Sequence, residues 1–160
     1  MSDIPAPPHA FSAMMQSLLD SVGQGDTDVS NLPGFEFESD GHAVRCLPHP
    51  TDDARFVVEC EATTLDAKQM GDPALMQLLH QLNAASWLES GWTAMLDAQG
   101  LCFIGQTAAL ADTPARRLEE MIVDAVDRAA ALKEIIASHD RGLPTGLDPQ
   151  AAFRMFNQRA

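Results

Sequence analysis

Apolar residues recur along this chain with two different periods, and the switches between the periods mark out its elements. Phe11, Met14, Met15, Leu18, Leu19 and Val22 fall at helical spacing, which predicts a first helix of about four turns ended by Gly23 and Gly25. Residues 26–34 read as loop. Three segments with period-two alternation follow, FEFE at 35–38, HAVRCL at 42–47 and RFVVECE at 55–61, separated by the turn residues Ser39-Asp40-Gly41 and by residues 48–53. Asp72 and Pro73 then open a second, longer helix. Asp can cap free backbone N–H groups, and proline suits the first helical position, where its missing N–H has no partner. Gly91 closes that helix, and strands over 92–97 and 101–108 flank the turn Ala98-Gln99-Gly100. Thr113 and Pro114 repeat the cap-plus-proline start for a last helix reaching about residue 137.

The positions of the apolar residues say which faces are covered. In the first and third strands Phe35 and Phe37, and Phe56, Val58 and Cys60, alternate with acids, so the sheet has one apolar face and one wet, acidic face. On the last helix Leu118, Met121, Ile122, Ala125, Ala129, Leu132 and Ile136 form one stripe, with Arg116, Glu120, Asp127 and Lys133 elsewhere. Burial of that stripe against the sheet predicts the core. On the second helix, at 100° per residue, Leu75, Leu78, Leu79 and Leu82 cluster within about one third of the circumference. Met76, His80, Asn83 and Trp87 project from an adjacent side, as expected of a helix that packs on its own sheet and on another subunit. A single broad core face is the competing account.

Composition narrows the function. At 160 residues and 46% hydrophobic, the chain can form one domain with a proper core. Its net charge is −13, and residues 1–76 hold 13 acids against 3 bases. Such a surface repels nucleic acid and anionic membranes, whose binding depends on Lys and Arg. The N-terminal residues lack a secretory signal pattern and no run approaches a bilayer span, so the expected location is the cytosol. Cys46, Cys60 and Cys102 lie inside apolar strand patterns with no C-x-x-C spacing and read as buried reduced thiols.

No reaction chemistry emerges from the motifs. His9, His42, His49, His80 and His139 are scattered, with none at zinc-ligand spacing, so no metal or cofactor is expected. There is no G-x-S-x-G, Walker A or G-x-G-x-x-G motif. Asp52-Asp53 and Glu119-Glu120 read as solvated. A Cys102–His80 nucleophile pair stays open from sequence, although Cys102 sits mid-strand, where burial would leave it inert. Function is therefore sought in surfaces.

The element order is helix, three strands, helix, two strands, helix, an α+β sandwich with an antiparallel sheet. Together with the stretch LMQLLHQLNAASWLESGWTAMLDAQGLCFIGQTAAL and the acidic charge, it resembles the class I chaperones of bacterial type III secretion, the Tir-chaperone group. The resemblance covers roughly residues 8–137, and the multi-effector, export-control type of plant pathogens is nearest in length. It implies a cytosolic homodimer without enzymatic activity that holds the N-terminal part of secreted effector proteins in extended form, with the secretion ATPase as a further partner. By resemblance, the effector surface would draw on Phe11, Met14, Met15, Leu18, Leu19, Phe35, Phe37, Val44, Cys46, Phe56 and Val58. The dimer would use Met76, Leu79, His80, Asn83, Trp87 and Trp92. The effector set cannot all face outward: Phe11, Met14, Leu18 and Val22 also read as a core stripe with Met15 and Leu19 as its shoulder. A small α+β enzyme or ligand-binding domain, with a pocket between helix and sheet, is the reading from a different class.

The expected organisation is one domain over 1–137, with residues 1–7 as a flexible leader, and a tail over 138–160. In that tail Asp148 and Pro149 repeat the helix-start signal ahead of Phe153 and Phe156, and residues 141–160 carry a net charge of +2. A basic, aromatic tail on an acidic domain is expected to fold back over an apolar groove or to remain a free terminus.

Overall fold

The computed structural model describes residues 9–29 and 32–142, apart from the side chains of residues 88 and 89. Helix α1 (His9–Ser21) precedes strands β1 (Phe35–Ser39), β2 (His42–Pro48) and β3 (Arg55–Thr64). Then come the short helix α2 (Ala67–Met70), helix α3 (Pro73–Ser90), strands β4 (Thr93–Leu96) and β5 (Leu101–Ala109), a 3-10 turn (Leu110–Asp112) and helix α4 (Ala115–Asp140). The fold is α+β, as the periodicities predict. The leader and the proposed 148–160 helix lie outside the described residues.

Local chemistry accounts for most of the boundaries. The Asp72 carboxylate accepts from the N–H of Ala74 at 2.9 Å and of Leu75 at 3.4 Å, and Pro73 takes the first position of α3. Gly91 ends α3 in the left-handed conformation at φ 74, its N–H donating to the Trp87 carbonyl. In the β4–β5 turn the Asp97 carboxylate accepts from Gln99 and Leu101 N–H. Gly100 there has φ 88, and a Cβ would stand 2.5 Å from the Leu65 carbonyl oxygen, so the position requires glycine.

Two expectations are corrected. Thr113 does not cap the last helix: its hydroxyl donates to the Ala109 carbonyl at 2.7 Å, and Pro114 occupies the cap position without a side-chain bond. Helix α4 also ends later than expected, running to Asp140, and its last turn is tied down. His139 Nε2 lies 2.8 Å from Asp72 Oδ2, and Gln69 donates to Asp140 at 2.5 Å. The bond to His139 and the Ala74 N–H hold the Asp72 carboxyl below its usual range. A carboxyl with a depressed folded-state pKa stabilises fully above its unfolded value of about 4, and that contribution fades as acid titrates the folded group.

The five strands form one antiparallel sheet in the order β1-β2-β3-β5-β4. α4 packs across β3, β5 and β2, α1 packs on α4, and α3 lies beside β4. The covered face presents Val44, Cys46, Phe56, Val58, Cys60, Ala62 and Ile104, all buried. Opposite them, every member of the predicted α4 stripe is buried as well. The other face carries Glu36, Glu38, Arg45, Leu47, Val57, Glu59, Glu61, Phe103 and Met95, none fully buried.

Candidate partner-binding surfaces

Helix α3 divides its circumference between core and solvent. Leu75, Leu79, Leu82 and Ser86 are buried, whereas His80 is exposed, Met76 half-buried and Trp87 64% exposed. Met76, His80 and Trp87 share one stripe by the helical period, so a large aromatic surface stands free on a face next to the core-facing one. Three of the expected dimer residues do not belong to that surface. Leu79 is 8% exposed and packs in the core. Asn83 spends its amide on the chain itself: Oδ1 accepts from the Ala94 N–H and Nδ2 donates to the Ala94 carbonyl, both at 2.7 Å. Trp92 is 1% exposed, and its indole N–H donates to Asp124 Oδ2 at 2.6 Å. It has already lost its solvent to α4 and has nothing left to give an interface.

Most of the effector residues expected from the resemblance lie in the chain's own core. Phe11, Met14, Met15 and Leu18 of α1, and Val44, Cys46, Phe56 and Val58 of the sheet, are all buried in the chain's own core. Helix α4 covers the apolar face of the sheet and α1 packs on α4, so that face is filled from within the same chain. Leu19, Phe35 and Phe37 remain half-buried and able to touch a partner. Val22, read as core, is instead 59% exposed, and Val123 on α4 is 62% exposed. Val22 follows the last turn of α1, where Ser21 donates to Glu119 of α4.

On the outer sheet face and at its β1 end the geometry gathers residues of which sequence reasoning selected only Phe35. Arg45 stands between two acids in the register, Glu36 on β1 and Glu59 on β3. Its Nη2 is 3.1 Å from Glu59 Oε2, and its guanidinium lies 5.8 Å from the centre of the Phe103 ring. Its Nε is buried without a hydrogen-bond acceptor. Beside it, at the start of β1, an open pocket of about 220 Å³ is lined by Pro33, Gly34, Phe35, Glu36, Arg45 and Leu47. Gly34 keeps it open, since a Cβ there would lie 2.5 Å from Leu47 Cδ2 and 3.0 Å from the Cys46 carbonyl oxygen. The only signal of this in the sequence is that Arg45 is one of 3 bases among 13 acids in residues 1–76.

The groups with nucleophilic potential are held inert. Burial pushes the thiols of Cys46 and Cys60 up to about 12, with the Glu61 charge adding to the effect at Cys60, and that of Cys102 up to about 11. Cys102 is fully buried on β5 while His80 is exposed on α3, so the two do not form a nucleophile pair. At pH 8 the thiolate fraction of each cysteine is about one in a thousand or less. An aromatic disulfide reagent at pH 8 should therefore modify none of the three in the folded chain and all three in denaturant. Rapid modification before unfolding would contradict this burial. Among the described residues no group of three His, Cys, Asp or Glu side chains is placed to hold a metal ion, and no helix is long and apolar enough to cross a membrane.

No protein-family model matches the chain, and no curated protein does. Its fold is nevertheless one already seen in type III secretion chaperones. It is similar to the Yersinia pestis type III secretion chaperone SycH, solved in complex with a stable fragment of YscM2, at 20% identity and TM-score 0.59, over 76% of this chain and 98% of that one. It is also similar to a chain of the HopA1–SchA chaperone–effector complex (12% identity, TM-score 0.64, 78% and 94% covered). A third similar structure is the ExsC–ExsE complex (15%, 0.61, 78% and 95%).

Proposed function

We propose that this chain is a homodimeric, non-catalytic type III secretion chaperone of the cytoplasm, which holds extended segments of secreted effector proteins ready for export. The observation that carries this reading is the shared fold: the chain spans nearly the whole of a chain in each of three complexes, two of which are those of secretion or effector chaperones. The chemistry agrees with it, because the thiols are buried and protonated while Trp87, Val22 and Val123 stand exposed and β1 lies at the sheet edge. The class I, multi-effector assignment and the docking of the loaded chaperone on the secretion ATPase belong to the same proposal.

The test is recovery of secreted proteins on this chain from a lysate of its native host, in the absence of ATP and metal, with binding mapped to their N-terminal segments. Recovery of no secreted protein, or binding through folded domains, would refute the reading. A segment that orders only on contact needs a large interface, on the order of 1,000–3,000 Å². Calorimetry with such a segment should give a strongly negative heat-capacity change, and a value near zero would exclude wrapping.

The dimer is proposed to pack through the Met76–His80–Trp87 stripe of α3. Light scattering should then give twice 17.2 kDa at micromolar concentration. Trp87→Glu should shift the protein to monomer, because a new carboxylate would be buried without a partner. A wild-type monomer, or a Trp87→Glu dimer, would remove this surface from the interface.

A further inference from the structure

We propose that residues 149–160 of this same chain pack across the outer face of its sheet, with Phe153 and Phe156 on a shelf formed by Phe103 and Met95 and an arginine beside Glu61. The inference goes beyond the chaperone reading and does not rest on it. Helix α4 packs on the opposite face, α1 on α4, and α3 beside β4, so no helix among the described residues forms a layer over the outer face. An antiparallel sheet can leave one face to water. This face is not uniformly polar. Leu47, Val57, Phe103 and Met95 are half-buried on it, and none of the four belongs to the core cluster. Glu61, Phe103 and Met95 stand side by side on β3, β5 and β4. The Met95 side chain lies over Gly105, where a Cβ would collide with its Cε, so the apolar shelf extends along β5.

Charge selects the occupant. Glu36, Glu38, Glu59 and Glu61 surround the shelf, and the base among them, Arg45, is already engaged by Glu59 at 3.1 Å. The other base on this face, Arg55, lies six residues along β3 from Glu61. No ion pair among the described residues reaches Glu36, Glu38 or Glu61. Two such acidic faces repel each other, which disfavours a second copy as the cover. Residues 149–160 hold Arg154 and Arg159 and no acidic side chain. Phe153, Phe156 and Arg159 recur at every third position, on one side of the helix that Asp148 and Pro149 signal. Phenylalanine rings suit a surface of methionine and aromatic carbon, and guanidinium groups supply the counter-charge that the glutamates lack.

The chain can reach this face. His139 and Asp140 tie the end of α4 to Asp72 and Gln69, and Met70, the next residue of α2, lies against Gly100 of the β4–β5 turn. Residue 143 therefore follows α4 at the end of the sheet where Leu101 opens β5, two residues before Phe103. Extended, the six residues 143–148 span about 20 Å, against about 10 Å between packed layers.

The test is paramagnetic broadening in the full-length protein. Cys46, Cys60 and Cys102 are buried, so a nitroxide attached through Gln158→Cys sits on the tail alone, and wild-type protein taken through the same labelling checks this. The reporters are the methionine methyl resonances, assigned with Met70→Leu, Met95→Leu and Met121→Leu. Met95 should lose the most intensity. It should lose more than Met70, which stands beside the end of α4, while Met121 on the covered side of the sheet is spared. Phe153→Ala combined with Phe156→Ala should lower the docked-to-free ratio of the tail on the order of a hundredfold. Arg154→Glu combined with Arg159→Glu should lower it on the order of tenfold. Both pairs of changes lie in the tail and leave the core sequence intact.

Broadening that is strongest at Met70 and fades toward Met95 would overturn the proposal, because that is the pattern of a free terminus. An unchanged docked-to-free ratio in either double variant would do the same. So would broadening of Met95 in an isotope-labelled chain by a nitroxide carried on a separate, isotope-free chain, since the occupant would then come from a second copy.

Discussion

Asp124→Ala is expected to lower the unfolding free energy by about 3 kcal/mol, enough to remove a large part of the stability of a small domain. The carboxylate joins two buried groups. Trp92 is 1% exposed and donates its indole N–H to Oδ2 at 2.6 Å. Arg128 is 4% exposed, donates from Nε to Oδ1 at 2.8 Å, and lies 5.8 Å from the Trp92 ring centre. Removing one partner of a buried pair costs about 3–5 kcal/mol, because the other charge stays out of water. The lower end applies here because Asp124 is 25% exposed and Arg128 has a further interaction of its own. Trp92→Phe keeps most of the packing and the Asp124–Arg128 pair, and should cost only about 1 kcal/mol. Urea unfolding of both variants measures the difference. If Asp124→Ala proved no more harmful than Trp92→Phe, the cluster would not be what fastens α4 to the junction of α3 and β4.

That cluster also marks where sequence reading runs out. The start and end of α3 were legible from Asp72, Pro73 and Gly91, because caps act on their own neighbours. The α4 stripe and the Phe56–Val58–Cys60 alternation were legible because burial repeats with the period of the element. The capping box Asp66-x-x-Gln69 that forms α2 was present in the sequence too, though it encloses only four residues and no apolar period accompanies it. What stayed hidden depends on partners far along the chain. Trp92 reads equally as an interface residue or a core residue until Asp124, 32 residues later, is seen to accept from its indole. Met15 and Val22 both sit on an apolar α1 pattern, and only the packing of α1 on α4 sends one to the core and leaves the other exposed. The pocket needs the β1–β2–β3 register to bring Gly34, Arg45 and Leu47 together, which spacing alone does not fix.

Asn83→Ala is expected to destabilise the chain by about 2–4 kcal/mol and to make it self-associate. Ala94 is 7% exposed, and its N–H and carbonyl both bond to the Asn83 amide at 2.7 Å. The side chain thus stands where the next strand would, since β4 is an edge strand whose one sheet neighbour is β5. Alanine leaves one donor and one acceptor buried and unmatched, each costing about 1–3 kcal/mol. The same loss opens the β4 edge, and an edge with unpaired groups invites pairing with another chain. Asn83→Asp separates the two effects: it can still accept from the Ala94 N–H, but it sets a carboxylate against the Ala94 carbonyl and should destabilise without favouring strand pairing. Urea unfolding gives the first quantity, and light scattering across a concentration series gives the second. An Asn83→Ala protein as stable as wild type, with unchanged mass at every concentration, would mean that α3 covers this edge by packing alone. In the wild-type protein the Asn83 amide fills the β4 edge from within, and β1 is the other edge of the sheet.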